Sequence, residues 1–219
     1  VTVEVIRKRV KNLNLRVYPP EGDVRISVPL KADHRSIHSF VTAKLDWIKR
    51  SRDRITQRPR KPQPQIVSGE KHYLLGQSYP LEVITSSGQS GVYLEDESIR
   101  LFVSEGSDLL VRAALLDNWY RQQLMARIPG LLQKWQPVIG VAVDQCRVKK
   151  MKTRWGSCNV VAKRIWLNLE LAKRPLACLE YVLVHELVHL HERRHNDRFY
   201  ELMDQFLPEW RSLRAELKE

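Results

Sequence analysis

The sequence predicts an α+β protein, with a β-rich N-terminal part over residues 1–105 and a helical part over residues 106–219. Period-two alternation of apolar residues dominates the first hundred positions, and helical spacing dominates the rest. Near the C-terminus, one apolar helical run carries two histidines four residues apart around a glutamate. Hydrophobic residues make up 43% of the 219 positions, enough for a buried core and against intrinsic disorder. No apolar stretch approaches the roughly 20 residues that span a bilayer, and the N-terminus alternates apolar with charged residues, unlike a secretory signal. The expectation is a soluble, cytoplasmic protein with no membrane partner. The cysteines Cys146, Cys158 and Cys178 are odd in number and widely spaced, which suits reduced thiols and not a disulfide framework or a metal knuckle.

In chain order, Val3, Val5, Arg7 and Arg9 alternate, as do Leu13, Leu15 and Val17, and then Val24, Ile26 and Val28. Three short strands follow, joined by turn chemistry at Asn12 and over Pro19 to Asp23, and an antiparallel meander is expected. From Asp33 to about Arg58, Ile37, Phe40, Val41, Leu45 and Ile48 fall on one helical face, so one basic amphipathic helix is expected before Pro59. Residues 58–65, with three prolines, read as an extended connector. Two hairpins are expected from runs at 73–75, 81–84, 92–94 and 99–103, and then a long amphipathic helix from Leu109 to Ile128, halted at Pro129-Gly130. Short strands are expected at 140–143, 146–151 and 164–167, and helices from Pro175 onward. No fixed-period repeat occurs, which excludes solenoids and propellers.

Charge is uneven. Residues 1–64 hold 16 basic and 6 acidic side chains, against 21 and 19 in residues 65–219. A lobe of that kind attracts an anionic partner, nucleic acid and nucleotides included, through long-range fields, or is a solvated face.

The chemistry concentrates in the run from Tyr181 to His189, which contains His185-Glu186-Leu187-Val188-His189. Two histidines four apart lie on one helix face, so both imidazoles reach a single cation, and the glutamate between them reaches a water beside it. A catalytic zinc site takes a third protein ligand and keeps an open position. His195 follows ten residues after His185, but on a continuing helix it would point about 80° away and lie about 15 Å along the axis. The helix therefore has to stop near residues 190–193 and the chain bend back, with Asn196 tolerant of the left-handed backbone such a bend can use. Glu192, which shares the His185 face if the helix runs on, and Glu201 or Asp204 on the next helix are rival third ligands. His191 lies about 120° off that face and reads as a surface or supporting histidine. In Met151 to Asn159, Arg154 could neutralise an oxyanion or phosphate and Ser157 could bond substrate if the segment is a strand edge, whereas in a β-turn Trp155 packs in the core. Cys158 has no base beside it in sequence and reads as a structural thiol.

The spacing of the three histidines matches that of metzincin proteases, yet Glu192 stands at their turn glycine and no downstream Met-turn can be identified. A closer resemblance runs through Arg7-Lys8-Arg9-Val10-Lys11-Asn12-Leu13, Met151 to Asn159, Leu167-Asn168-Leu169, the His185 to Leu190 run, and His195-Asn196-Asp197-Arg198-Phe199. These segments resemble the YgjP-like metallopeptidase-domain family, similar in its metal site to SprT-like zincins. The resemblance implies a zincin-like metal-dependent hydrolase domain, with His185, His189 and His195 as ligands of Zn²⁺ or another divalent metal and Glu186 as the acid/base residue. The expected function is a zinc-dependent, metallopeptidase-like hydrolase using a metal-activated water, with Arg154, Trp155 and Ser157 at the substrate. Two rivals stay open: a nucleoside triphosphate pyrophosphohydrolase, and a nucleic-acid-binding module with a structural metal.

Overall fold

The computed structural model describes residues 1–57 and 65–218. The chain divides into two compact units, Val1–Gln63 and Pro64–Glu219. The division expected between residues 105 and 106 falls inside the second unit, where Leu81, Ile99 and Leu101 from strands share one core with Leu116, Leu124 and Leu183 from helices. The proline-rich connector over 58–65 lies, but for its last residue, outside the described residues.

In the first unit, β1 (Val3–Lys8), β2 (Asn14–Tyr18) and β3 (Asp23–Pro29) form a sheet of order β1-β3-β2, with β1 parallel and β2 antiparallel to β3. This is not the expected meander. Alternation specifies which face of a strand is buried and says nothing about its neighbour, and β3 takes the centre because Val24, Ile26 and Val28 are its buried face. The single helix expected from Asp33 is two, α1 (His34–Ala43) and α2 (Leu45–Thr56), broken at Lys44. Asp33 caps α1 by accepting from the Ser36 N–H at 2.8 Å. The apolar residues predicted for that helix do face inward, since Ile37 and Ile48 are buried.

The second unit begins with β4 (Lys71–Leu74), β5 (Gln77–Thr85), β6 (Gly91–Glu95) and β7 (Ser98–Val103), ordered β4-β5-β7-β6. The two expected hairpins are present, joined by parallel pairing of β5 with β7. Then α3 runs from Leu109 to Ile139, straight through Pro129 and Pro137, and ends at Gly140, whose φ of 74° is left-handed. Proline removes one helical hydrogen bond, but Leu124 and Ile128 before it and Trp135 and Ile139 after it bury on the same core, which offsets that loss. Because α3 extends to this cap, the strand expected at 140–143 does not form.

A second sheet, ordered β8-β10-β9, consists of β8 (Gln145–Lys149), β9 (Gly156–Asn159) and β10 (Arg164–Asn168), with β9 at its edge. One 3₁₀ turn (Leu169–Lys173) leads to α4 (Leu176–Val188), α5 (Asp197–Phe206) and α6 (Trp210–Glu216). No helix among the described residues is long and apolar enough to cross a membrane.

Candidate metal centre

Helix α4 buries nine of its thirteen residues, as a helix apolar on nearly every side must. It ends at Val188, where His191 and Glu192 both donate backbone N–H bonds to the Val188 carbonyl. The chain then reverses, and Asn196 starts α5 as its N-cap, accepting from the Phe199 N–H at 3.1 Å. Asn196 is extended (φ −101°), so it caps a helix and does not supply a left-handed bend. The reversal brings His195 beside His185 and His189, and one ring nitrogen of each lies within 4.8 Å of the others.

Two observations fit this donor set to a cation. His189 donates from Nδ1 to the Glu192 carbonyl at 3.0 Å, and a carbonyl can only accept, so the tautomer leaves Nε2 with a free lone pair. The Nε2 atoms of His185 and His195 stand 3.0 Å apart. Phe199 is wholly buried, with its ring 4.7 to 4.9 Å from all three imidazoles, and forms the floor on which they pack. Tyr200 stacks between His195 and Trp210, backing the third imidazole from α5.

The other candidates are engaged elsewhere. The Glu192 carboxylate accepts from the Arg194 N–H at 3.0 Å. Asp204 is held by Trp210 Nε1 and by Arg211, and Glu201 is exposed on α5. His191 donates to the Ile139 carbonyl at 2.7 Å, tying the reversal to the end of α3. Among the described residues no other group of three such side chains converges.

Glu186 is 5% exposed and burial pushes its carboxyl up to about 8, an effect partly opposed by the Arg154 guanidinium. Burial, with positive charge on the neighbouring histidines, pushes His185 down to about 3. Gly156 on β9 makes the room for Glu186, since a Cβ there would meet its Oε1 at 2.5 Å. Strand alternation places Gly156 and Cys158 towards α4 and Ser157 on the opposite face, paired with Trp166. Burial and the Glu186 charge push the Cys158 thiol up to about 11, which suits a structural thiol.

The site opens into a cleft of about 940 Å³ bounded by Arg154, Trp155, Gly156 and Ser157 on one side and His185, Glu186, His189 and His195 on the other. Trp155 fits both of its expected readings, because it packs on the core, lies under the Arg174 guanidinium and still lines the cleft. Sequence reasoning missed Tyr181, one turn before His185 and edge-on to it, as well as Arg193, Arg214 and Lys218, all lining the cleft. The spacing of Tyr181 from His185 was a usable signal, but nothing local marked the three cations. It also missed the structural role of Asn168, whose buried side chain accepts from Met151 N–H and donates to the Met151 and Arg154 carbonyls, holding the segment that leads into β9. A polar residue between two leucines was its only trace.

An α+β protein whose buried glutamate adjoins three convergent histidines has the makings of a metal-dependent hydrolase. The YgjP-like, metallopeptidase domain family matches residues 11–219, and the chain belongs to it. Membership brings a divalent metal and a peptidase-like function. The crystal structure of the metallopeptidase zymogen of Pyrococcus abyssi abylysin aligns with 41% of this chain and 90% of its own, at 19% identity and a TM-score of 0.38. No curated protein matches.

Proposed function

We propose that this protein is a zinc-dependent peptidase in which His185, His189 and His195 hold the metal and Glu186 is the acid/base residue. The observation that carries the reading is the buried carboxyl of Glu186 on the same helix turn as two of three convergent imidazoles, beside the edge strand β9. Zinc, when bound, supplies a Lewis acid that polarises a carbonyl and lowers the pKa of a water. Glu186 would take the proton from that water and return it to the leaving amine. Arg154 steadies the developing oxyanion and Trp155 packs against the substrate, while Ser157, its side chain turned to the far face of β9, meets the substrate only through the strand edge.

One observation favours a second reading, hydrolysis of a nucleoside triphosphate to release pyrophosphate. Arg154, Arg193, Arg214 and Lys218 line the cleft, and none makes an ion pair among the described residues, while Glu186 is the only acid there. Three donors beside an open cleft argue against a purely structural metal, which takes a closed set of four. Lys49, Arg50, Arg52 and Arg54 of α2 make no ion pair among the described residues and would suit an anionic partner of the first unit.

A panel of peptides and nucleoside triphosphates with added Zn²⁺, Mn²⁺ or Mg²⁺ tests the reading. The expected result is peptide cleavage that Glu186→Gln reduces about 10²- to 10⁴-fold with metal retained. Turnover of triphosphates alone selects the second reading, and a Gln variant as active as the parent removes Glu186 from the mechanism.

A further inference from the structure

The outer face of the β8-β10-β9 sheet carries a second, unassigned surface. Residues 145–169 contain seven cations and no acid, in a unit whose other residues hold 14 basic and 19 acidic side chains. The register sorts those cations. On one face stand Gln145, Arg147 and Lys149 of β8, Arg164 and Trp166 of β10, and Ser157 and Asn159 of β9, since paired strand residues share a face. The opposite face carries Cys146, Val148, Ile165 and Leu167 into the core.

Trp166 sits at the centre, half-buried, directly across from Arg147 on one side and Ser157 on the other. The Lys149 Nζ lies 4.6 Å from its ring centroid and the Arg147 guanidinium 6.0 Å. Arg147, Lys149 and Arg164 make no ion pair among the described residues, and the Arg164 Nε has no hydrogen-bond partner there. Like charges on neighbouring strands repel and disfavour the fold by themselves, so an anion laid across the face would relieve them.

We infer that this face binds single-stranded nucleic acid, with a base stacked on Trp166 and phosphates on Arg147, Lys149 and Arg164. The chemistry selects that occupant. Stacking needs a ligand with a π-face, which an acidic peptide of Asp and Glu lacks. A lipid surface needs an apolar anchoring face, and Trp166 is the only large apolar side chain here, ringed by Gln145, Ser157 and Asn159. A duplex keeps its bases stacked inside, so the aromatic platform favours an unpaired strand. This surface lies on the sheet face turned away from Glu186 and meets the metal cleft only at its β9 edge, where Ser157 and Asn159 also line the cleft.

The test is fluorescence anisotropy of labelled oligothymidylate and oligouridylate, each of about 20 nucleotides, with the full chain at salt from about 50 to 200 mM. The two strands separate DNA from RNA preference. Both are expected to bind with log Kd linear in log salt. In Arg147→Gln/Lys149→Gln the slope should fall by about 1.4, roughly 0.7 per cation removed on a single strand, with affinity lower by tenfold or more. Trp166→Leu should weaken binding about tenfold while Trp166→Phe, which keeps a ring, restores most of it. The exposed control pair Lys71→Gln/Arg198→Gln, on β4 and α5, should leave the slope unchanged. The proposal is overturned if neither oligonucleotide binds at the lowest salt, if the Arg147/Lys149 pair leaves the slope intact, if the Lys71/Arg198 control lowers it equally, or if Trp166→Phe is as weak as Trp166→Leu. Tighter binding of polyglutamate or of phosphatidylserine vesicles through the same residues also overturns it.

Discussion

Gly156 and Glu186 divide one space between them: a Cβ at position 156 would stand 2.5, 2.8 and 2.9 Å from the Oε1, Cγ and Cδ of Glu186. Real Cβ contacts do not come that close. The carboxyl has little room to retreat, because Glu186 is buried on a helix that is itself in the core. Gly156→Ala should therefore displace the carboxyl and lower kcat at least tenfold, within the range a general base contributes, with metal content unchanged. Steady-state kinetics and metal analysis on the same preparation check it, and a fully active Ala variant would show that Glu186 has another place to go.

Replacing each of His185, His189 and His195 by Ala should lower metal affinity at least tenfold, because supporting partners alone are worth that much. Glu192→Ala, Glu201→Ala and Asp204→Ala should each keep a full equivalent. Metal content after dialysis decides between them, and a metal-replete His195→Ala protein would assign the third ligand elsewhere.

Asn168→Ala should destabilise the protein by about 2 to 4 kcal/mol, since it strands the buried Met151 N–H and the carbonyls of Met151 and Arg154 that the amide now satisfies. KM should rise as well, because the same bonds place Arg154 and Trp155 at the cleft. Urea midpoints and kinetics separate the two effects. A variant of parental stability would mean that water replaces the amide.

The metal-free protein should lose stability as pH rises from about 6.5 to 8. Glu186 titrates near 8 when folded and near 4.5 when unfolded, so in that window the folded chain holds a proton that the unfolded chain has released. The loss is about 1.4 kcal/mol per pH unit. Between about 4.5 and 6.5 His185 opposes it, because its folded value near 3 keeps it neutral while the unfolded imidazole protonates. Below about 4.5 Glu186 is protonated in both states, and stability falls with falling pH because His185, with His72 and His195 whose folded values burial also lowers, stays neutral while the unfolded imidazoles are charged. Urea midpoints should therefore rise or stay level from pH 5 to about 6.5 and then decline towards pH 8, and Glu186→Gln should remove the decline.

Much of the site was legible because its information is local. The His185-Glu186-His189 spacing sits on one helix turn whatever that helix packs against, and the need for the chain to turn back before His195 follows from helical geometry alone. The faces of strands and helices were legible for the same reason: Val24, Ile26 and Val28, or Ile37 and Ile48, point inward by period. Errors came where a neighbour distant in sequence decided the outcome. Pro129 looks like a stop, and only the core beneath Trp135 and Ile139 carries α3 past it.

The sequence by itself determined the class of the protein, the helix that bears its chemistry and the residues able to hold a metal, because motif spacing and hydrophobic period are properties of a single element. Tertiary structure alone decided that β3 lies between β1 and β2, that β9 is an edge strand with Gly156 against Glu186, and that Arg193, Arg214 and Lys218 join Arg154 around one cleft. It also decided that Trp166 is flanked by Arg147 and Lys149. Each of these is a relation between segments far apart in the chain, set by strand register and helix packing, and no local pattern of residues encodes it.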